Sequence, residues 1–132
     1  FYHEIELSAG DGTYVELDRS GCKLRFAKST LRKAGVDAGC AACVSVHGNS
    51  MEPVLPDGAV VGVDTSKTGI KDGQMYAIDQ DGLLRVKLLY RLPNGIRVRS
   101  FNRDEYADED YFYHEANKIN IIGQVFWYSV LL

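Results

Sequence analysis

From Cys43 onward the chain is a succession of short apolar stretches separated by glycine-containing turns, and this punctuation constrains the fold more than any other feature. Cys43–His47 and Ala59–Asp64 read as strands, because their valines suit a pleated, packed backbone. Met75–Ile78 and Leu83–Leu89 flank Asp81-Gly82, while Lys87–Leu92 and Ile96–Ser100 flank Asn94-Gly95. Asp-Gly and Asn-Gly tolerate the positive φ that two-residue hairpin loops demand, so both dipeptides predict hairpins. Ile119–Val130 is long enough for a terminal strand. Many short strands with glycine turns predict a mostly-β domain built on a partly closed sheet.

The first part of the chain is more varied. Glu4–Leu7 and Thr13–Leu17 alternate as short strands do, and Ser8-Ala9-Gly10-Asp11-Gly12 between them reads as an exposed loop. After Leu24-Arg25-Phe26, Ser29 or Thr30 can cap a short helix that Gly35 ends. A length of 132 residues with 45% apolar content suits one domain, residues 1–132, and no repeat or linker interrupts it.

Composition excludes several function classes. The formal net charge of −3 gives no global field for a polyanion, so any DNA contact is expected elsewhere in a longer protein. Arg85, Lys87, Arg91, Arg97, Arg99 and Arg103 do cluster, but Asp104, Glu105, Asp108, Glu109 and Asp110 follow at once. Mutually screened hairpin faces or the rim of a dimer account for that pattern better than a nucleic-acid surface. No apolar run approaches the roughly 18 residues that span a bilayer, so no membrane association is expected. The start, Phe1-Tyr2-His3-Glu4, lacks an initiator methionine and a signal-peptide pattern, and reads as cut from a longer chain. Cys22, Cys40 and Cys43 are an odd number at no framework spacing, as in a cytoplasmic protein with reduced thiols. Cys40-x-x-Cys43 with His47 and Cys22 is a conceivable zinc set, but small buried thiols beside Ala41, Ala42 and Val44 explain the same residues. No metal and no cofactor are expected.

The stretch Val46-His47-Gly48-Asn49-Ser50-Met51-Glu52-Pro53-Val54-Leu55-Pro56-Asp57-Gly58 carries the most chemical information. A strand running into glycine, serine and a proline turn puts Ser50 at a strand tip, where backbone N–H groups can converge. A hydroxyl beside convergent N–H donors suits acyl transfer, although an ordinary β-turn has the same composition. His47 is the nearest candidate base, but continued extension would face it away from Ser50, and nothing marks His3 or His114. Lys87 lies in the apolar strand Leu83–Leu89, where burial would disfavour its ammonium and lower its pKa. Snorkelling from a strand edge would account for a lysine there as well.

These two segments resemble the LexA-like S24 family. His47–Pro53 followed by Asp57–Asp64 resembles its nucleophile motif, and Val86-Lys87-Leu88-Leu89 its lysine strand. The 37 positions between Ser50 and Lys87 match the family's spacing. Ser100–Tyr106 resembles its Asn-x-x-Tyr segment and Ile122–Trp127 its final strand, so the likeness covers about residues 43–130. The resemblance implies a LexA/signal-peptidase-like fold with one short helix, Ser50 as nucleophile and Lys87 as neutral general base. It also implies that the Ser50 and Met51 amides form the oxyanion hole. The family's usual substrate is its own chain at an Ala-Gly bond in a mobile upstream loop, which makes Ala9-Gly10 the candidate scissile bond. Asn49 departs from the acidic residue that usually precedes the serine.

By the same resemblance, the chain is expected to be the C-terminal part of a phage or prophage repressor. It would form a homodimer or higher oligomer and cut itself when a RecA filament binds, while a missing N-terminal helix-turn-helix domain contacts operator DNA. The alternative keeps the fold without catalysis, as an oligomerisation and antirepressor-binding module. A type I signal peptidase and a polymerase-accessory protein of the UmuD kind fit the sequence less well.

Overall fold

Among the described residues ten strands account for most of the structure, and they fall where apolar and β-branched residues concentrate. The computed structural model describes residues 2–4, 14–19, 22–114 and 119–129, with side chains described from Phe26 onward. The strands are β1 (Tyr2–Glu4), β2 (Tyr14–Arg19), β3 (Cys22–Ala27), β4 (Ala41–Ser45), β5 (Val60–Asp64), β6 (Gln74–Gln80), β7 (Leu83–Leu92), β8 (Gly95–Arg99), β9 (Glu109–Phe112) and β10 (Ile119–Ser129). Helix α1 spans Lys28–Ala34, and a single 3-10 turn spans Ala38–Cys40. The mostly-β expectation with one short helix holds.

Seven strands form one antiparallel sheet in the order β4-β5-β10-β6-β7-β8-β9. The terminal strand β10 thus lies in the middle of the sheet, between β5 and β6. A smaller sheet has the order β1-β3-β2, with β1 parallel and β2 antiparallel to β3. Ala9 and Gly10 lie outside the described residues.

The first hairpin forms as its sequence predicts: Asp81 and Gly82, at φ 52° and 85°, make the two-residue loop between β6 and β7. The second is displaced by one residue. Leu92 pairs with Gly95, so the loop is Pro93-Asn94 and Gly95 opens β8. The reason lies across the sheet, where a Cβ on Gly95 would stand 2.0 Å from the Tyr111 carbonyl oxygen of β9. Glycine is needed there for close approach of two strands and not for the turn.

Three further boundaries differ from the sequence reading. Helix α1 begins at Lys28 with Ala27 as N-cap and no side-chain cap, so neither Ser29 nor Thr30 caps it. Its end matches expectation, with Gly35 left-handed at φ 73° and Arg32 and Lys33 in the last turn, where the helix dipole favours cations. Strand β4 starts two residues early and releases the chain at Ser45, so Val46 and His47 already belong to the excursion toward Ser50. Strand β9 was not apparent from the sequence at all.

Three apolar clusters hold the layers together. Val44, Val46, Met51, Leu55, Val61, Val63 and Val86 fill one side of the large sheet. Tyr76, Ile78, Leu89, Ile96 and Val98 fill a second cluster. Phe26, Leu31, Val36, Cys43 and Val60 join the helix and small sheet to the large one, with Phe126 and Trp127 packed against them. Trp127 meets Phe26 edge-on at 4.8 Å, so two of the aromatic residues of the last strand serve the core.

Candidate active site

The excursion between β4 and β5 is pinned at its base and anchored from below. Val46 N–H donates to the Ala59 carbonyl and Gly58 N–H to the Val46 carbonyl, both at 2.8 Å. Gly48, at φ 84°, turns the chain, and its N–H donates to Asp57 Oδ1 at 2.8 Å. The residues after the serine coil into a turn in which Leu55 N–H donates to the Met51 carbonyl at 2.8 Å. Met51 and Leu55 are fully buried in the first cluster, which leaves Ser50 partly exposed at the tip. The Glu52–Pro53 bond is cis.

Lys87 reaches this tip from the interior. Strand β7 lies between β6 and β8, and Lys87, in the buried central stretch of the strand, is only 4% exposed. Its Nζ donates to Ser50 Oγ and to Ser100 Oγ, the latter at 3.0 Å. Ser100 directly follows β8 and continues the β7–β8 register opposite Lys87. The ring of Tyr106 lies 5.7 Å from the same Nζ.

Burial, aided by the positive charge of Arg85 and opposed by Glu109, lowers the Lys87 pKa from 10.5 to about 8. Arg85 lies two residues earlier on the same face of β7, where it makes paired hydrogen bonds to Glu109 at 3.1 and 2.8 Å. Tyr111 donates to the same carboxylate, and Arg85 holds the Glu109 carboxyl below its ordinary pKa. A lysine with so low a pKa has an appreciable neutral fraction near physiological pH, which an exposed lysine lacks.

A cleft of about 310 Å³ opens beside the pair, lined by Ser45–His47 and Leu83–Arg85 together with Ser50, Lys87 and Tyr106. His47 lines the cleft but, among the described residues, makes no hydrogen bond to Ser50. The Ser50 and Met51 amides donate to no acceptor among the described residues, whereas the neighbouring Gly48 amide is occupied by Asp57. Cys43 is buried in the core while His47 is exposed, so these two members of the conceivable zinc set face different surroundings.

The segment 100–106 closes over the site. Asn102 N–H donates to the Ser50 carbonyl at 2.9 Å, and Asn102 Nδ2 to the Asn49 carbonyl at 3.2 Å. Asn49 Nδ2 donates to Glu105 Oε2 at 3.0 Å, while the Tyr106 hydroxyl donates to Asn49 Oδ1. No local pattern in the sequence marks a role for Ser100, Asn102 or Tyr106. The signal for Ser100 was the hairpin register, which sets it across from Lys87 once the loop is placed correctly.

The basic residues near the site are mostly neutralised in place. Arg97 pairs with Asp110 at 2.8 Å and Arg99 with Asp108 at 2.9 Å, as Arg85 does with Glu109. The screened hairpin face expected from the sequence is therefore what forms, with Glu109 and Asp110 of β9 and the adjoining Asp108 as its acids.

A sequence profile described as Peptidase S24-like matches residues 1–126. The chain belongs to the peptidase S24-like family. Similar S24-like chains occur in transcriptional regulators. The HTH-type transcriptional regulator PrtR of Pseudomonas aeruginosa is 51% identical over 98% of this chain and 52% of its own length. Repressor protein CI of Enterobacteria phage phi80 is 51% identical over 99% of this chain and 55% of its own. An uncharacterized HTH-type transcriptional regulator of Haemophilus influenzae is 29% identical over 94% of this chain. This S24-like chain thus spans about half the length of the curated relatives it matches. No helix among its described residues is long and apolar enough to cross a membrane.

Proposed function

We propose that this chain, residues 1–132, is the C-terminal domain of a phage-type transcriptional repressor, acting in the cytoplasm as a dimer or higher oligomer. It carries a latent self-cleavage site in which Ser50 is nucleophile and Lys87 general base. The observation that carries this reading is the buried Lys87 Nζ in hydrogen-bond contact with Ser50 Oγ. Membership of the S24-like family and the regulators it resembles support the repressor setting.

The chemistry follows from the side chains. Neutral Lys87 takes the Ser50 proton as Oγ attacks the Ala9 carbonyl carbon, and the Ser50 and Met51 amides receive the oxyanion. The resulting ammonium returns its proton to the Gly10 nitrogen as the peptide bond breaks, leaving Ala9 esterified to Ser50. Water, deprotonated by the same lysine, then hydrolyses the ester. The cleft between Ser45–His47 and Leu83–Arg85 suits a peptide segment beside the nucleophile.

Operator binding belongs to the part of the protein outside this chain, and loss of that part from the dimer would weaken repression by removing linked contacts. A RecA filament is the proposed inducer. Incubation of the purified chain at alkaline pH, read by mass spectrometry, tests the central step. Cleavage between Ala9 and Gly10 that Ser50→Ala and Lys87→Ala both abolish is the expected result. A chain that stays uncut, with or without activated RecA, would favour a non-cleaving oligomerisation and antirepressor-binding module.

A further inference from the structure

The side-chain amide of Asn49 is used at both ends, and few other residues could replace it. Nδ2 donates to Glu105 at 3.0 Å, and Oδ1 accepts from Tyr106. A carboxylate at this position could accept from Tyr106 but would then set a second negative oxygen against Glu105. An aliphatic side chain could do neither. Asn102 adds two further ties in the same place, its Nδ2 donating to the Asn49 carbonyl at 3.2 Å and its backbone N–H to the Ser50 carbonyl at 2.9 Å. Tyr106 N–H donates to the Asn102 carbonyl at 3.0 Å, which folds residues 102–106 into a closed turn against the serine.

That turn is continuous with the partner of the lysine. Ser100, 3% exposed, accepts from Lys87 Nζ, and the Tyr106 ring stands over the same nitrogen. One stretch of seven residues, 100–106, therefore grips Lys87 at one end and the Ser50 turn at the other. Ser50 and Lys87 come from separate segments, 37 positions apart, so some third element must fix the distance between them.

We infer that Asn49, Asn102, Glu105 and Tyr106 form a polar clamp that positions Ser50 against Lys87, with Asn49 and Glu105 matched to each other as amide and carboxylate. The clamp rests on the self-cleavage reading only for its consequence. Its geometry is independent of whether the chain cuts. Because its outer bonds are solvent-exposed, it contributes little to overall stability, yet a small displacement of a nucleophile strongly affects rate.

Asn49→Asp is the discriminating substitution, and Glu105→Gln made in the same molecule is its rescue. The carboxylate that Asn49→Asp introduces repels Glu105 and loosens the Ser50 turn. Self-cleavage is therefore expected to slow by about 10- to 100-fold with the melting temperature nearly unchanged. In the double variant the new amide at position 105 donates to the new carboxylate at position 49. That restores the bond with its polarity reversed, and most of the rate with it. Hydrogen exchange at the Glu52 and Leu55 amides, which donate to the Asn49 and Met51 carbonyls, should rise in Asn49→Asp and fall back in the double variant. This second readout holds whether or not the chain cuts: an unsubstituted chain that never cleaves overturns the peptidase reading alone. Exchange and rate that ignore Asn49→Asp, or a double variant as impaired as the single one, would overturn the clamp.

Discussion

At Lys87 the cost of burial and the proposed chemical use have one physical origin. The ammonium loses hydration in the centre of the sheet, and its pKa falls from 10.5 to about 8. The folded protein therefore releases this proton at lower pH than the unfolded chain does. Below about 8 both states are charged and the folded state bears the full penalty, whereas above 10.5 both are neutral and the penalty is gone. Lys87→Met is accordingly expected to stabilise the fold at neutral pH by about 1–2 kcal/mol while abolishing cleavage. Denaturant titrations at several pH values should show that advantage shrinking between about 8 and 10.5. An advantage independent of pH would mean that packing, not the buried charge, distinguishes the two side chains.

At the scale of elements, what was legible followed local chemistry and what was hidden followed long-range contact. The β6–β7 hairpin could be read from Asp81-Gly82 because both residues take the positive φ that the turn requires. The second loop sits one residue before Asn94-Gly95 because Gly95 answers to Tyr111 on β9, which no local pattern reveals. Strand β9 itself, Glu109-Asp110-Tyr111-Phe112, has no apolar alternation and is held by cross-strand pairs from Arg85, Arg97 and Arg99 to acids in or beside it. Ser50 and Lys87 stood out through their motifs, but the clamp at residues 102–106 depends on a tertiary fold-back that spacing alone does not encode. Gly123 shows the same kind of constraint within β10, since a Cβ there would stand 2.2 Å from the Asp64 carbonyl oxygen of β5. Gly123→Ala should cost about 1–3 kcal/mol in urea unfolding by forcing the two strands apart. A midpoint equal to that of the unsubstituted chain would mean the strands yield without loss.

Across the whole molecule, the last strand joins the halves of the fold. β10 lies between β5 and β6, and its Phe126 and Trp127 pack on Phe26 beside helix α1. Tyr128 on the same strand is 49% exposed, next to a shallow apolar depression that includes Met75 and Val125. If the chain self-associates, as the proposed repressor role would require, that surface of the central strand is a place for the contact. Tyr128→Glu should then weaken the dimer by about tenfold or more in sedimentation equilibrium, with an unchanged circular dichroism spectrum. Equal association of both chains would direct the interface elsewhere, such as the edge at β9.

The pH dependence of self-cleavage rate tests the central claim most directly, because it reports the protonation of the base in the working protein. The Ser50–Lys87 account predicts a first-order rate that rises to half its maximum near the lowered lysine value of about 8 and vanishes in Lys87→Ala at every pH. A midpoint at the ordinary lysine value of 10.5, or cleavage that persists without Lys87, would contradict it.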